Sequence, residues 1–404
     1  MSDNPALQPF TIDIPDAVLE DLHRRLRTTR WAPDPGNEDM YYGLSTEYVK
    51  GLVGYWLDGF DWRKAEATMN EYDQFKVVID DQPVHFVRAR GKGPAPVPIV
   101  ISHGWPWTFW DLNKIIKPLS DPASFGSDPA DAFDVIVPSL AGFGFSTPAR
   151  GDMNHWKMAD IWNSLMTEVL GFDKYAAAGA DYGALVTSQL AHKYAANLYG
   201  IHLGHDLPPP MFNGELFWSL GDGIPDGASD ELRKDMLRFY ETYSSHVAVH
   251  MLDAQPLTLG LNDSPVGMLA WILQRWKKWS DKNGDFEAVW SRDHILTNAT
   301  IYWATESIGS SIRSYRNAVR YPWTPSHDRT PMMEAPAGFT FLAGDAYPPG
   351  TDVTTRVAAF ENGPTRALFN PIYTKAHEKG GHFVAFENPQ AVIDDVRATF
   401  RGLR

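Results

Sequence analysis

Asp181 stands between two glycines in Gly179-Ala180-Asp181-Tyr182-Gly183, after an apolar run and before the helix-forming Ala184-Leu185-Val186. Glycine two positions to either side permits a sharp strand-to-helix turn that exposes the central side chain. Such an elbow more often presents a serine, which must lose a proton and attacks carbonyls. A carboxylate is already ionised at neutral pH. It can attack a saturated carbon that carries a leaving group, forming an alkyl ester. Gly and Asp are also ordinary turn residues, so the motif alone fits equally well a turn with no chemical role. Two later segments shift that balance. Asp345 follows an apolar run in Gly344-Asp345, and His382 follows two glycines in Gly380-Gly381-His382-Phe383. Asp181, Asp345 and His382 then read, in chain order, as nucleophile, acid and base.

A fourth segment, His103-Gly104-Trp105-Pro106, also follows an apolar run. The backbone N–H of Trp105 could pair with that of Tyr182 as an oxyanion hole, one donor after the nucleophile and one from an earlier loop. The competing reading is a tight turn holding a buried aromatic. Gly142-Phe143-Gly144-Phe145-Ser146 lacks the third glycine of a dinucleotide fingerprint, and Pro148 opposes a helix start, so it reads as a structural loop. Metal chemistry is weak. His377-Glu378 with His382 is spaced one residue too far for a zincin helix, and Gly380-Gly381 would break that helix. His246 and His250 lie at i, i+4 with no third ligand evident nearby. No metal or organic cofactor is expected.

These residues need a scaffold. Short apolar runs at Ile99–Ser102, Phe133–Val137, Tyr175–Gly179, Gly200–Leu203 and Gly338–Ala343 alternate with helical candidates at Trp110–Leu119, His155–Leu170 and Ala184–Ala196. That alternation predicts an α/β class, a mainly parallel sheet flanked by helices, of the α/β-hydrolase type. It is interrupted from about 207 to 321 by a Trp-rich, helix-like stretch that reads as a helical cap. Upstream, an amphipathic helix is expected within 11–30, with Pro15 in its first turn, and another after Ser45. Strands Gln74–Ile79 and Val84–Arg90 follow, joined by a turn at Asp80-Asp81-Gln82-Pro83. The expected organisation is an N-terminal extension over 1–95, a first core segment over 96–206, the cap over 207–321 and a second core segment over 322–404.

Composition narrows the function. Across 404 residues the chain has no cysteine, which excludes disulfides, thiolate metal sites and a cysteine nucleophile. Its formal net charge is −14, from 50 acidic and 36 basic residues without a basic cluster, so nucleic acid is not an expected partner. No signal peptide is read in residues 1–10, and no apolar run reaches membrane-span length; a cytoplasmic enzyme is expected. The 15 Trp and 13% aromatic content supply core and could also line an apolar pocket.

Taken together, these segments resemble the microsomal-type epoxide hydrolases over almost the whole chain. Further words carry the resemblance: Phe10-Thr11-Ile12, Arg25-Leu26-Arg27-Thr28-Thr29-Arg30-Trp31, Tyr55-Trp56, Phe60-Asp61-Trp62-Arg63, His85-Phe86-Val87, Leu261-Asn262-Asp263-Ser264-Pro265-Val266-Gly267 and Ala335-Pro336-Ala337-Gly338-Phe339. The resemblance implies opening of an epoxide to a vicinal diol by Asp181, with His382 and Asp345 activating water, under a helical cap. It also implies a cis Trp105–Pro106 bond. Tyr315, in Ser311-Ile312-Arg313-Ser314-Tyr315-Arg316, matches a cap tyrosine that donates to the epoxide oxygen. Where the family has a partner tyrosine, counting back from Leu261 lands on His246, with Tyr243 three residues upstream. That departure resembles bacterial secondary-metabolism members such as enediyne-pathway hydrolases. The expected partners are thus a small-molecule epoxide and water, with neither nucleic acid nor membrane, and a homodimer is admitted. A bulky aryl epoxide is the expected substrate, met in detoxification or in antibiotic biosynthesis; Phe212, Phe217, Trp218, Trp271, Trp276, Trp279 and Trp290 are candidate pocket or core residues. The alternatives are a haloalkane dehalogenase, which shares the aspartyl ester, and an inactive binding protein on the same fold.

Overall fold

The structure is a computed structural model that describes residues 7–206, 209–214, 224 and 226–404. Phe217 and Trp218 lie outside the described residues. Nine strands form one sheet: β1 (Gln8–Pro9), β2 (Asp73–Ile79), β3 (Gln82–Ala89), β4 (Val97–Ser102), β5 (Phe133–Pro138), β6 (Tyr175–Gly179), β7 (Leu198–Leu203), β8 (Pro336–Leu342) and β9 (Asn370–His377). Their order is β1-β2-β3-β5-β4-β6-β7-β8-β9. Pairings from β1 to β5 through β3 are antiparallel, and all from β5 through β9 are parallel. The expected α/β-hydrolase arrangement is therefore present, and its sheet runs straight across the 95/96 boundary. Helices cover both faces; helix Tyr182–Lys193 is buried from Tyr182 to His192, its polar Gln189 included, whose Nε2 donates to Phe212 O at 3.0 Å.

The described part of the segment between β7 and β8 is helical up to Arg320. Its main helices are Asp230–Tyr243, Ser245–Leu252, Ala254–Asp263, Pro265–Trp279, Arg292–Ala304 and Ile308–Arg320. Trp276 and Trp290 are fully buried, with rings stacked 5.5 Å apart, so these two tryptophans are core. Truncating either to Ala is expected to cost about 3–5 kcal/mol. The N-terminal region fastens this cap. Trp56 Nε1 donates to Thr300 Oγ1 at 3.2 Å, Leu44 N to Gln274 Oε1 at 3.0 Å, and Arg25 pairs with Asp263 at 2.6 Å.

Several element boundaries differ from expectation for local reasons. The first helix spans only Asp16–Arg27, because Pro15 is its extended N-cap and the N–H groups of Ile12 and Ile14 donate to Asn70 and Glu66. Ser45 caps helix Thr46–Asp58 as expected. The β2–β3 turn is only Asp80–Asp81, both at positive φ, because Gln82 and Pro83 already pair with Ile79 and Val78. The segment after the His103 loop opens as a 3₁₀ turn, Phe109–Leu112, closed by a Thr108–Asp111 capping box. His155–Ser164 is α-helical but relaxes into a π turn over Leu165–Val169. Strand β9 lacks a buried apolar alternation, being an edge strand with Asn370 and Lys375 on it, and for that reason carries no sequence signal.

Candidate active site

β6 ends at Gly179, and Asp181 sits at φ 53, ψ −127, a conformation that side chains other than glycine adopt at a cost. Both flanking glycines are required by space. A Cβ on Gly179 would meet Gly183 O at 2.4 Å, and one on Gly183 would meet Ser102 O at 2.2 Å. Asp181 is thereby thrust above the carboxyl edge of the sheet. Its Oδ1 accepts the Trp105 N–H at 2.8 Å, and its Oδ2 lies 3.1 Å from His382 Nε2. Gly104 makes the first contact possible, since a Cβ there would stand 2.5 Å from Oδ1. The Trp105–Pro106 peptide is cis. Loop 103–112 is tied to the cap: Tyr302 OH donates to Trp107 O at 2.9 Å, and buried His294 meets Asp111 at 2.7 Å.

His382 arrives from the loop after β9. Its own N–H donates to Trp279 O at 3.0 Å, and Gly381 lies so close to Asp281 that a Cβ would approach Asp281 N to 2.3 Å. Its Nδ1 is 3.5 Å from Asp345 Oδ1, which also accepts the Ala346 N–H at 2.7 Å. Behind the loop, Glu387 accepts from Phe383 N at 3.0 Å and Asp281 N at 2.6 Å; burial pushes its carboxyl up to about 7.

Charge follows from this geometry. Burial alone would lower the His382 imidazole, but its bonds to Asp181 and Asp345 prevail and push it up to about 10. Burial would raise Asp181; the hydrogen bond and charge of His382, with the Trp105 and Tyr182 N–H groups, hold it below the usual carboxylate range. Asp345 is held down in the same way, against its own burial, chiefly by His382. The resting site is thus an imidazolium between two carboxylates.

Across a cavity of about 280 Å³ stand Tyr315, on helix Ile308–Arg320, and His246, on helix Ser245–Leu252. Asp181, Tyr182, Asp345, His382, Tyr243 and Trp279 line the same cavity. Tyr315 Oη is 3.4 Å from His246 Nε2, and the His246 ring stacks on Trp105 with 4° between the planes. Burial, then the neighbouring His250, Arg275 and His382, hold His246 well below its ordinary range, so it is neutral. Burial, then the Asp181 charge, hold the Tyr315 phenol well above its own.

Residues taken from widely separated segments therefore converge. Asp181, Asp345, His382, Tyr315, His246 and Tyr243 all face one cavity, while the Trp105 and Tyr182 N–H groups border Asp181. His377 does not join them; it bonds Asp395 at 2.7 Å. The Gly142–Ser146 loop is structural, with Ser146 Oγ donating to Ser139 O at 2.8 Å. Two further residues went unread in the sequence. Arg275 is 6% exposed, donates to Ser245 Oγ at 3.1 Å and lies over the Trp271 ring, with no carboxylate partner among the described residues. His205 follows β7 by two residues, at the carboxyl edge where sites of parallel sheets gather, which was its only signal. His205, Asp345 and His382 come within 4.8 Å of one another, and His382 among them already has its ring nitrogens on Asp181 and Asp345.

Two family models match: "Epoxide hydrolase N terminus" over residues 7–112 and "alpha/beta hydrolase fold" over residues 97–213. The chain is 35% identical to a Stigmatella aurantiaca protein over 98% of this chain and 86% of that one. It is 31% identical to rabbit (Oryctolagus cuniculus) "Epoxide hydrolase 1", over 98% and 88%. Among solved structures, juvenile hormone epoxide hydrolase from the silkworm Bombyx mori superposes with a TM-score of 0.78 at 25% identity, covering 99% of this chain and 95% of that one.

Proposed function

This chain belongs to the epoxide hydrolase family, and from that premise we propose that it opens its epoxide through an ester on Asp181. Asp181 Oδ2 attacks a ring carbon, the carbon–oxygen bond breaks, and the departing oxygen takes a proton from the cap. Tyr315 is the principal donor, since its phenol keeps its proton across the working pH range. His246 is auxiliary. In its Nε2–H tautomer it donates to Tyr315 Oη and leaves the phenol proton free for substrate; Tyr243 is the less favoured alternative. Alkylation cancels the charge of Asp181, and with it one of the two carboxylates that hold the proton on His382. The imidazolium then gives up its proton, which restores the phenol of Tyr315, and the neutral imidazole takes a proton from water as hydroxide adds to the ester carbon. Trp105 and Tyr182 N–H groups hold the resulting oxyanion; the ester bond breaks, the leaving alkoxide takes the proton from His382 to become diol, and the new Asp181 carboxyl returns its proton to the imidazole.

The observation that carries this reading is Asp181 held between the Trp105 N–H and His382 Nε2, facing Tyr315 across a largely apolar cavity. A volume of about 280 Å³ lies at the low end for small-molecule pockets and suits a compact aryl epoxide better than a bulky one. Intact-mass measurement of His382→Ala after exposure to styrene oxide is the test. One substrate mass per chain is expected, lost on adding Asp181→Asn; an adduct that persists in the double variant refutes the nucleophile.

A further inference from the structure

His205 touches both reacting partners without taking part in the bond changes assigned above. Its Nε2 lies 3.2 Å from the backbone N of Asp181, and its ring stacks on His382 at 5.5 Å with 21° between planes. A backbone N–H can only donate, so Nε2 must be the bare nitrogen and the single proton of the neutral ring sits on Nδ1. Nδ1 is buried and has no hydrogen-bond partner among the described residues. Burial, then the charge of His382, hold the ring below its ordinary range and so in this neutral form.

The Asp181 N–H is the group that most needs an acceptor. It belongs to a residue other than glycine at φ 53, whose carboxylate must stay aligned with Trp105 N–H on one side and His382 on the other. An unpaired amide at this point would free the elbow to relax toward ordinary backbone angles. We propose that His205 is a positioning residue: it holds the Asp181 backbone in its strained turn and, through the same ring, backs the face of His382. The proposal rests on Asp181 as nucleophile. It assigns a catalytic duty to a histidine outside the triad and outside the cap.

Two variants of similar size separate the role from simple packing. His205→Leu fills the space without an acceptor, and His205→Gln offers a side-chain oxygen near the Nε2 position. With styrene oxide, kcat of the leucine variant should fall about ten- to a hundred-fold, as for one buried hydrogen bond lost from the reacting geometry. KM should change less than kcat, and the glutamine variant should recover most of the loss. Histidine ¹⁵N shifts of the wild-type protein, assigned by triple-resonance correlation to the His205 backbone, give a reading independent of turnover and of variant folding. Protonated Nδ1 and bare Nε2 on His205 are expected. A leucine variant as fast as wild type, a glutamine variant no faster than leucine, or the opposite tautomer overturns the proposal. Absence of any epoxide turnover or Asp181 adduct in wild type would instead refute the reading on which it rests.

Discussion

The two walls of the cavity are built differently. On the sheet wall every reacting atom is fixed by backbone: Asp181 by Trp105 N–H and by its strained turn, Asp345 by Ala346 N–H, His382 through its own N–H to Trp279. On the cap wall the contacts are mainly between side chains, and they are loose. Tyr315 meets His246 at 3.4 Å, and among the described residues His246 and His250 each bury an Nδ1 without a partner and Arg275 leaves its Nε unpaired. Bond-making is thus held by the fold, whereas proton donation is held by a cluster of rings. Chemistry on the first wall should tolerate almost no change. Donors on the second should be exchangeable.

The sharpest way to break this contrast is to disturb the sheet wall without touching an ionisable group. Gly104→Ala would drive a methyl to within 2.5 Å of Asp181 Oδ1 and displace the Trp105 donor. Turnover should fall by about 10²–10³-fold, the usual cost of one oxyanion donor. A near wild-type rate would show that the wall yields more than its geometry implies. On the cap wall, Tyr315→Phe should slow alkylation by about 10²-fold in stopped-flow measurements.

How much of this was legible in the sequence follows the same division. Asp181, Asp345 and His382 are each marked by glycines that close packing demands, and close packing leaves a pattern in residue type. The parallel strands were readable for a related reason: β6, buried on both faces, is an unbroken apolar run, and β7 is one but for His202. β9 and the extended Thr11–Ile14 segment were not, because side-chain partners far along the chain decide their conformation. His205 and Arg275 were invisible for another reason. A lone histidine or arginine has no spacing rule, and only the folded chain brings them to Asp181 and to the Tyr315 cluster.

Smaller effects refine the cap wall. His246→Ala should reduce alkylation by less than about tenfold and shift which ring carbon is attacked, because Tyr315 still donates. Tyr243→Phe should do less still. Equal losses in His246→Ala and Tyr315→Phe would make the two donors equivalent and remove the ranking. The smallest effect expected is none: with Asp181 held ionised and Tyr315 held protonated, the alkylation rate should be flat from about pH 5 to 9. Ester hydrolysis needs the free base of His382, which in the ester faces only the Asp345 carboxylate, so its rate should rise with pH through a midpoint below the resting value of about 10. A hydrolysis rate that falls with pH would exclude His382 as the base.

The aspartyl ester itself is tested most directly by one turnover in ¹⁸O-water, with enzyme in excess over styrene oxide. The diol oxygen then comes from the Asp181 carboxylate, so the first-turnover diol should carry no label, and a peptide containing Asp181 should gain one ¹⁸O. Label in that first diol, with Asp181 unlabelled, would mean that water opens the epoxide directly and that Asp181 is not the nucleophile.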